Sequence, residues 1–115
     1  MPLIKIHTHP PVPAEQQHAV MQDMAHAAAK VTGKPLDYMM VVLEDAVVHL
    51  GGGPKNSAYI DFRGIGGITP EVNNALTGKL SAVLSNHLNI LPENIYITYT
   101  DVPATNWGWN NKLFG

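Results

Sequence analysis

Tyr38-Met39-Met40-Val41-Val42-Leu43 is an unbroken apolar run, and its length between turn signals reads as a strand. Successive strand residues point to opposite faces, so Met39 to Leu43 present apolar side chains on both. One face needs a helix layer and the other needs a second cover. Upstream, Ala14 begins a different period: Val20, Met24, Ala27 or Ala28, and Val31 recur at three-to-four spacing, and Lys30 with Gly33 in a C′ position marks a helix end. Further back, Leu3 to Thr8 sets Ile4 and Ile6 against Leu3, Lys5 and His7 as a strand, which Pro10-Pro11-Val12-Pro13 ends.

Downstream the order repeats. Ala58 to Phe62 reads as a strand, and Thr69-Pro70-Glu71 opens a helix with an N-cap, an N1 proline and an acidic first turn. Leu76, Leu80, Val83, Leu84 and Leu88 form its buried stripe, and Ile95 to Thr100 closes the unit as a strand. Ala27 and Leu84, Val31 and Leu88, Pro35 and Pro92, and Tyr38 and Ile95 stand 57 positions apart, which suggests a duplication. Two β-α-β units with parallel strands predict an α/β domain over residues 1–115: a four-stranded mixed sheet with two helices on one face. The economical cover for the other face is a second copy in a closed symmetric oligomer. Asp101 to Gly115, rich in Asn, Gly and Trp, reads as a ribbon or loop able to reach a neighbour.

The composition narrows the function. With 45% hydrophobic and 14% charged residues the chain is no disordered segment. A net charge of −2 leaves no footprint for nucleic acid or anionic membrane. No signal peptide or membrane span is read, so the cytoplasm is the default location. Zero cysteines exclude disulfides and thiolate chemistry. His7 and His9 share a strand face and His18 and His26 a helix, but neither pair has an acidic or third ligand at convincing spacing, so no metal and no cofactor is expected.

Pro2 follows the initiator methionine and is small enough to permit its removal. What remains is a secondary amine on a rigid ring at the mouth of a strand, a candidate base. The plain alternative is that Pro2 merely begins an edge strand.

Pro2, Thr32-Gly33-Lys34-Pro35, Tyr38, Gly51-Gly52, Ile65-Gly66, Tyr96-Ile97, Tyr99, Asp101, Gly108-Trp109-Asn110-Asn111 and Phe114 together resemble the macrophage migration inhibitory factor family of the tautomerase superfamily, along essentially the whole chain. The resemblance implies a homotrimer of duplicated β-α-β subunits, an isomerase of phenylpyruvate-like keto and enol acids, and active sites shared between subunits. Pro2 is then the general base, and Lys34 holds the substrate carboxylate or oxyanion. Lys34 also explains Pro2, because a cationic neighbour and an apolar pocket both disfavour a protonated amine. The Ile65 N–H donates to a substrate oxygen, with Gly64, Gly66 and Gly67 allowing close approach. Tyr96, from the adjacent subunit, polarises the substrate carbonyl. Leu3, Tyr38, Trp107, Trp109 and Phe114 wall a pocket for an aromatic acid.

The departures from the family pattern bear on rate. Thr98 stands where the best-known members carry asparagine, Trp107 where a small aliphatic residue is usual, Arg63 where a histidine is and Gly64 where a serine is. Ser57 and Ile60 occupy the family's Cys-x-x-Cys positions, so thiol oxidoreductase activity is not expected. The Thr98 change predicts low activity, and those at Trp107, Arg63 and Gly64 a pocket of different size and charge. The rival reading is a cytokine-like binding or signalling protein with a vestigial pocket and a non-classical secretion route.

Overall fold

The computed structural model describes residues 2–53 and 55–115. Four strands, β1 (Leu3–His9), β2 (Met40–Asp45), β3 (Ser57–Gly64) and β4 (Ile95–Asp101), form one sheet in the order β2-β1-β3-β4. β1 and β2 run parallel, as do β3 and β4, while β1 and β3 run antiparallel at the centre. Helix α1 (Ala14–Thr32) connects the first pair and α2 (Pro70–Leu88) the second. The mixed sheet of two β-α-β units is therefore present.

The helix ends follow from local chemistry. Gly33 takes a left-handed φ of 71° and its N–H reaches the Ala29 carbonyl, stopping α1. Asn89 does the same for α2 with φ 55°, while at the other end the Thr69 Oγ1 accepts from the Val72 N–H and Pro70 occupies the first turn. The duplication has a spacing of 56 rather than 57. Both helices are 19 residues long, and Val20, Met24 and Ala28 on α1 are matched by Leu76, Leu80 and Leu84 on α2. The sequence matches at 57 miss this register because buried positions share only apolarity, and neighbouring apolar residues offer false partners.

These six helix residues meet Ile4, Ile6, Ile60 and Phe62 in one contiguous core between the helices and one face of the sheet. The other face carries alternate strand residues: Leu3, Lys5 and His7 on β1, Met40, Val42 and Glu44 on β2, Tyr59, Asp61 and Arg63 on β3, Tyr96 and Thr98 on β4. Two sequence expectations change here. Tyr38 is not in the strand, since Leu36–Tyr38 form a 3-10 turn after Pro35 and β2 begins at Met40. The two-sided apolar pattern is also confined to residues 40–43 of β2, because elsewhere the open face carries ionic pairs, Arg63 with Asp61 on β3 at 3.0 Å and Lys5 of β1 with Glu44 near the end of β2 at 3.8 Å.

Candidate active site

Pro2 lies where β1 enters the sheet; its ring is buried, and its carbonyl accepts from the Met40 N–H at 3.1 Å. It forms part of an open-sided cavity of about 580 Å³ lined also by Leu3, Tyr38, Trp107, Trp109 and Phe114. Six of the residues selected from sequence thus share one wall. The 3-10 turn carries Tyr38 to the mouth, where its ring meets Trp109 edge-on at 5.6 Å. Trp109 in turn stacks on Phe114 at 5.7 Å.

The second half of that wall is a hairpin. β5 (Gly108–Trp109) and β6 (Lys112–Leu113) pair across Asn110 and Asn111, both at positive φ, the conformation of a tight type I′ turn. The Phe114 N–H closes it on the Trp107 carbonyl at 3.1 Å. The C-terminal ribbon therefore packs on Tyr38 of its own chain. Asp37, Met39 and Met40 line the cavity as well and were missed. Their adjacency to Tyr38 was the available signal.

Lys34 and Ile65 form a neighbouring cluster. The Lys34 Nζ donates to the carbonyls of Ile65 (2.8 Å) and Gly66 (2.9 Å). Register places this cluster beside Pro2: Leu3 faces Arg63, so one step outward Pro2 comes opposite Gly64, and a Cβ on Gly64 would stand 3.7 Å from the Lys34 Nζ. Burial lowers the Lys34 pKa from its ordinary value, with Asp101 opposing the shift. A lysine so held is a rigid cation, suited to a carboxylate or enolate oxygen.

Tyr96 and Thr98 are not brought to this cavity within one chain. Tyr96 pairs with Tyr59, whereas the end of β4 that faces Gly64 is Asp101. Five residues of strand separate them, about 17 Å. Tyr96 is 65% exposed on the open face, and the Thr98 hydroxyl is bonded to the Tyr59 hydroxyl at 2.6 Å. Loss of Met1 concerns a residue outside those described.

A duplicated β-α-β sheet thus carries a proline-ended aromatic cavity beside a fixed lysine. The model of the macrophage migration inhibitory factor family matches residues 1–115. The chain belongs to that family. It is 31% identical to macrophage migration inhibitory factor of Rattus norvegicus over 99% of both chains. Among solved structures it superposes on the Toxoplasma gondii factor with a TM-score of 0.92 at 30% identity, over 96% of this chain and 98% of that one. The homologue from Prochlorococcus marinus gives 0.89 at 29%, over 98% and 99%.

Proposed function

We propose that the chain is a keto-enol tautomerase, an isomerase of phenylpyruvate-like aryl α-keto acids, with the Pro2 amine as general base once Met1 is removed. The observation that carries this is the placement of a buried proline in an aromatic-walled cavity with a lysine ammonium against the facing strand end. The unprotonated amine takes a proton from C3 of the keto acid, and the electron pair moves into an enolate. Lys34 and the Ile65 N–H stabilise the negative oxygen. Pro2 then returns its proton to that oxygen, giving the enol, and ketonisation runs the same steps in reverse. The aromatic ring of the substrate fits between Tyr38, Trp107, Trp109 and Phe114. No cofactor or metal enters this chemistry.

The working unit in this reading is a homotrimer. It supplies Tyr96 and Thr98, which the separation along β4 withholds from the chain's own cavity. The unpaired edges of β2 and β4 and the open sheet face are the surfaces available for assembly. Among the described residues no helix is long and apolar enough to cross a membrane. The cytoplasm is the proposed location. Ketonisation of phenylenolpyruvate, followed on protein whose N-terminus has been verified by mass spectrometry, tests the activity. Turnover that vanishes in Pro2→Ala supports it; none in the parent refutes it.

One observation favours the rival reading, a binding or signalling protein with a vestigial pocket. The Thr98 hydroxyl is already engaged by Tyr59, so a contact usually made by an asparagine is both shorter and occupied.

A further inference from the structure

We propose that Asp101 is a positioning residue, which fixes the turn whose two carbonyls hold the Lys34 ammonium against the Pro2 end of β1. This rests on the catalytic reading of Lys34 given above. The turn needs such a clamp. It follows β3 with Gly66 at φ 69° and Gly67 at φ 73°, a pair of residues with wide conformational freedom. Asp101 ends β4 directly opposite Gly64, where the Val102 N–H bonds the Gly64 carbonyl at 2.8 Å. From there the Asp101 Oδ1 accepts the Gly66 N–H at 2.9 Å. The same peptide segment thus has its N–H held by Asp101 while its carbonyls hold Lys34.

An ammonium has three N–H donors. The Ile65 and Gly66 carbonyls take two, which leaves one for an incoming anion. If the turn relaxed, Lys34 would keep its charge but lose its aim. Asp101 also acts on Lys34 directly, its negative charge favouring the protonated form that burial disfavours. The groups around Lys34 are Asp101 from β4, the turn carbonyls after β3, the Thr32 hydroxyl at the end of α1, which accepts the Lys34 backbone N–H at 3.2 Å, and the Pro2 end of β1. Asp101 is the carboxylate among them.

Asp101→Asn keeps an oxygen for the Gly66 N–H and removes the charge; Asp101→Ala removes both. In the full-length protein, the Lys34 side-chain titration is read by NMR on 13C-labelled lysine, and KM and kcat are measured with phenylenolpyruvate. In Asp101→Asn, Lys34 is expected to lose its proton at lower pH than in the parent, and the alkaline limb of kcat/KM moves the same way. In Asp101→Ala, KM rises about ten-fold while kcat falls less, the loss of one well-aimed charged hydrogen bond. A merely structural Asp101 would lower the melting temperature without moving the Lys34 titration. Lys34 side-chain signals and titration unchanged in folded Asp101→Ala, where both the clamp and the charge are gone, overturn the proposal. The titration needs no turnover, so a parent inactive on phenylenolpyruvate refutes the proposed function while the role of Asp101 is still decided by NMR.

Discussion

In the proposed mechanism Pro2 acts through a single atom, and that atom has two possible states. As a free secondary amine it has a lone pair for a proton; as an amide, after retained Met1 or an added residue, it has none. Adding one residue before Pro2 is therefore expected to abolish tautomerase activity while leaving the fold and melting temperature intact. Equal turnover from extended and mature protein, with both N-termini verified by mass spectrometry, would rule out the mechanism. Thr98 poses a subtler question, because its hydroxyl is bonded to Tyr59. Thr98→Asn is expected to raise kcat/KM for phenylenolpyruvate by about ten-fold or more, the worth of a hydrogen bond to a charged group. Trp107 lines the same cavity and is able to block that gain, so Trp107→Val belongs in the comparison alone and combined. A double variant no faster than the parent would move suspicion from these two positions to the choice of substrate.

The elements owe their limits and their packing to a few residues outside the cavity. Gly33 ends α1 in the left-handed region, with open space where a Cβ would stand. Gly33→Ala therefore costs strain alone, about 1 kcal/mol. Leu80 is fully buried between α2 and the sheet. Leu80→Ala removes contacts and leaves a cavity, which costs about 2–5 kcal/mol. Urea unfolding of the two variants should rank them in that order, with Leu80→Ala the more destabilised by a clear margin. The reverse order would show that the core collapses around the missing side chain or that Gly33 has a further role. It matters to the site because Gly33 directly precedes Lys34, and the Thr32 hydroxyl joins both turns of chain by bonding Ala28 and Lys34.

At the scale of the whole molecule the chain is half of an argument. The cavity holds Pro2 and its aromatic wall, while Tyr96 stands exposed at the far end of β4. The proposal is that in a closed trimer Tyr96 of the partner subunit completes the site. Complementation tests this without any structure. Pro2→Ala and Tyr96→Phe proteins, each impaired alone, are unfolded together and refolded as a mixture. If sites are shared, random assembly joins an intact Pro2 to an intact Tyr96 at about one site in four, so about a quarter of parental activity returns. If each site belongs to one chain, nothing returns. Sedimentation of the parent at micromolar concentration gives the accompanying check, a stable monomer being the contrary outcome.

How much of this was legible in the sequence depended on the range of the forces involved. Strand alternation, helix periods and caps are local, so Ile4 and Ile6, the Leu76-Leu80-Leu84 stripe, Thr69 and Gly33 were all readable from spacing and residue type. The β-α-β order followed from them. The aromatic wall was assembled from a resemblance, because no local rule brings Tyr38 to Trp109 across 71 positions of chain. The boundary of β2 was missed because Pro35 sets a 3-10 turn that extends through Tyr38, and an apolar run carries no mark of where a turn ends. The polar open face was missed for a different reason: Arg63 and Asp61 share a face by alternation along β3, but only sheet register sets Lys5 beside Asp61. The carbonyl cradle of Lys34 and the Asp101 contact with Gly66 were decided by tertiary structure alone, since backbone hydrogen-bonding groups are the same at every residue and acquire partners only when distant segments meet.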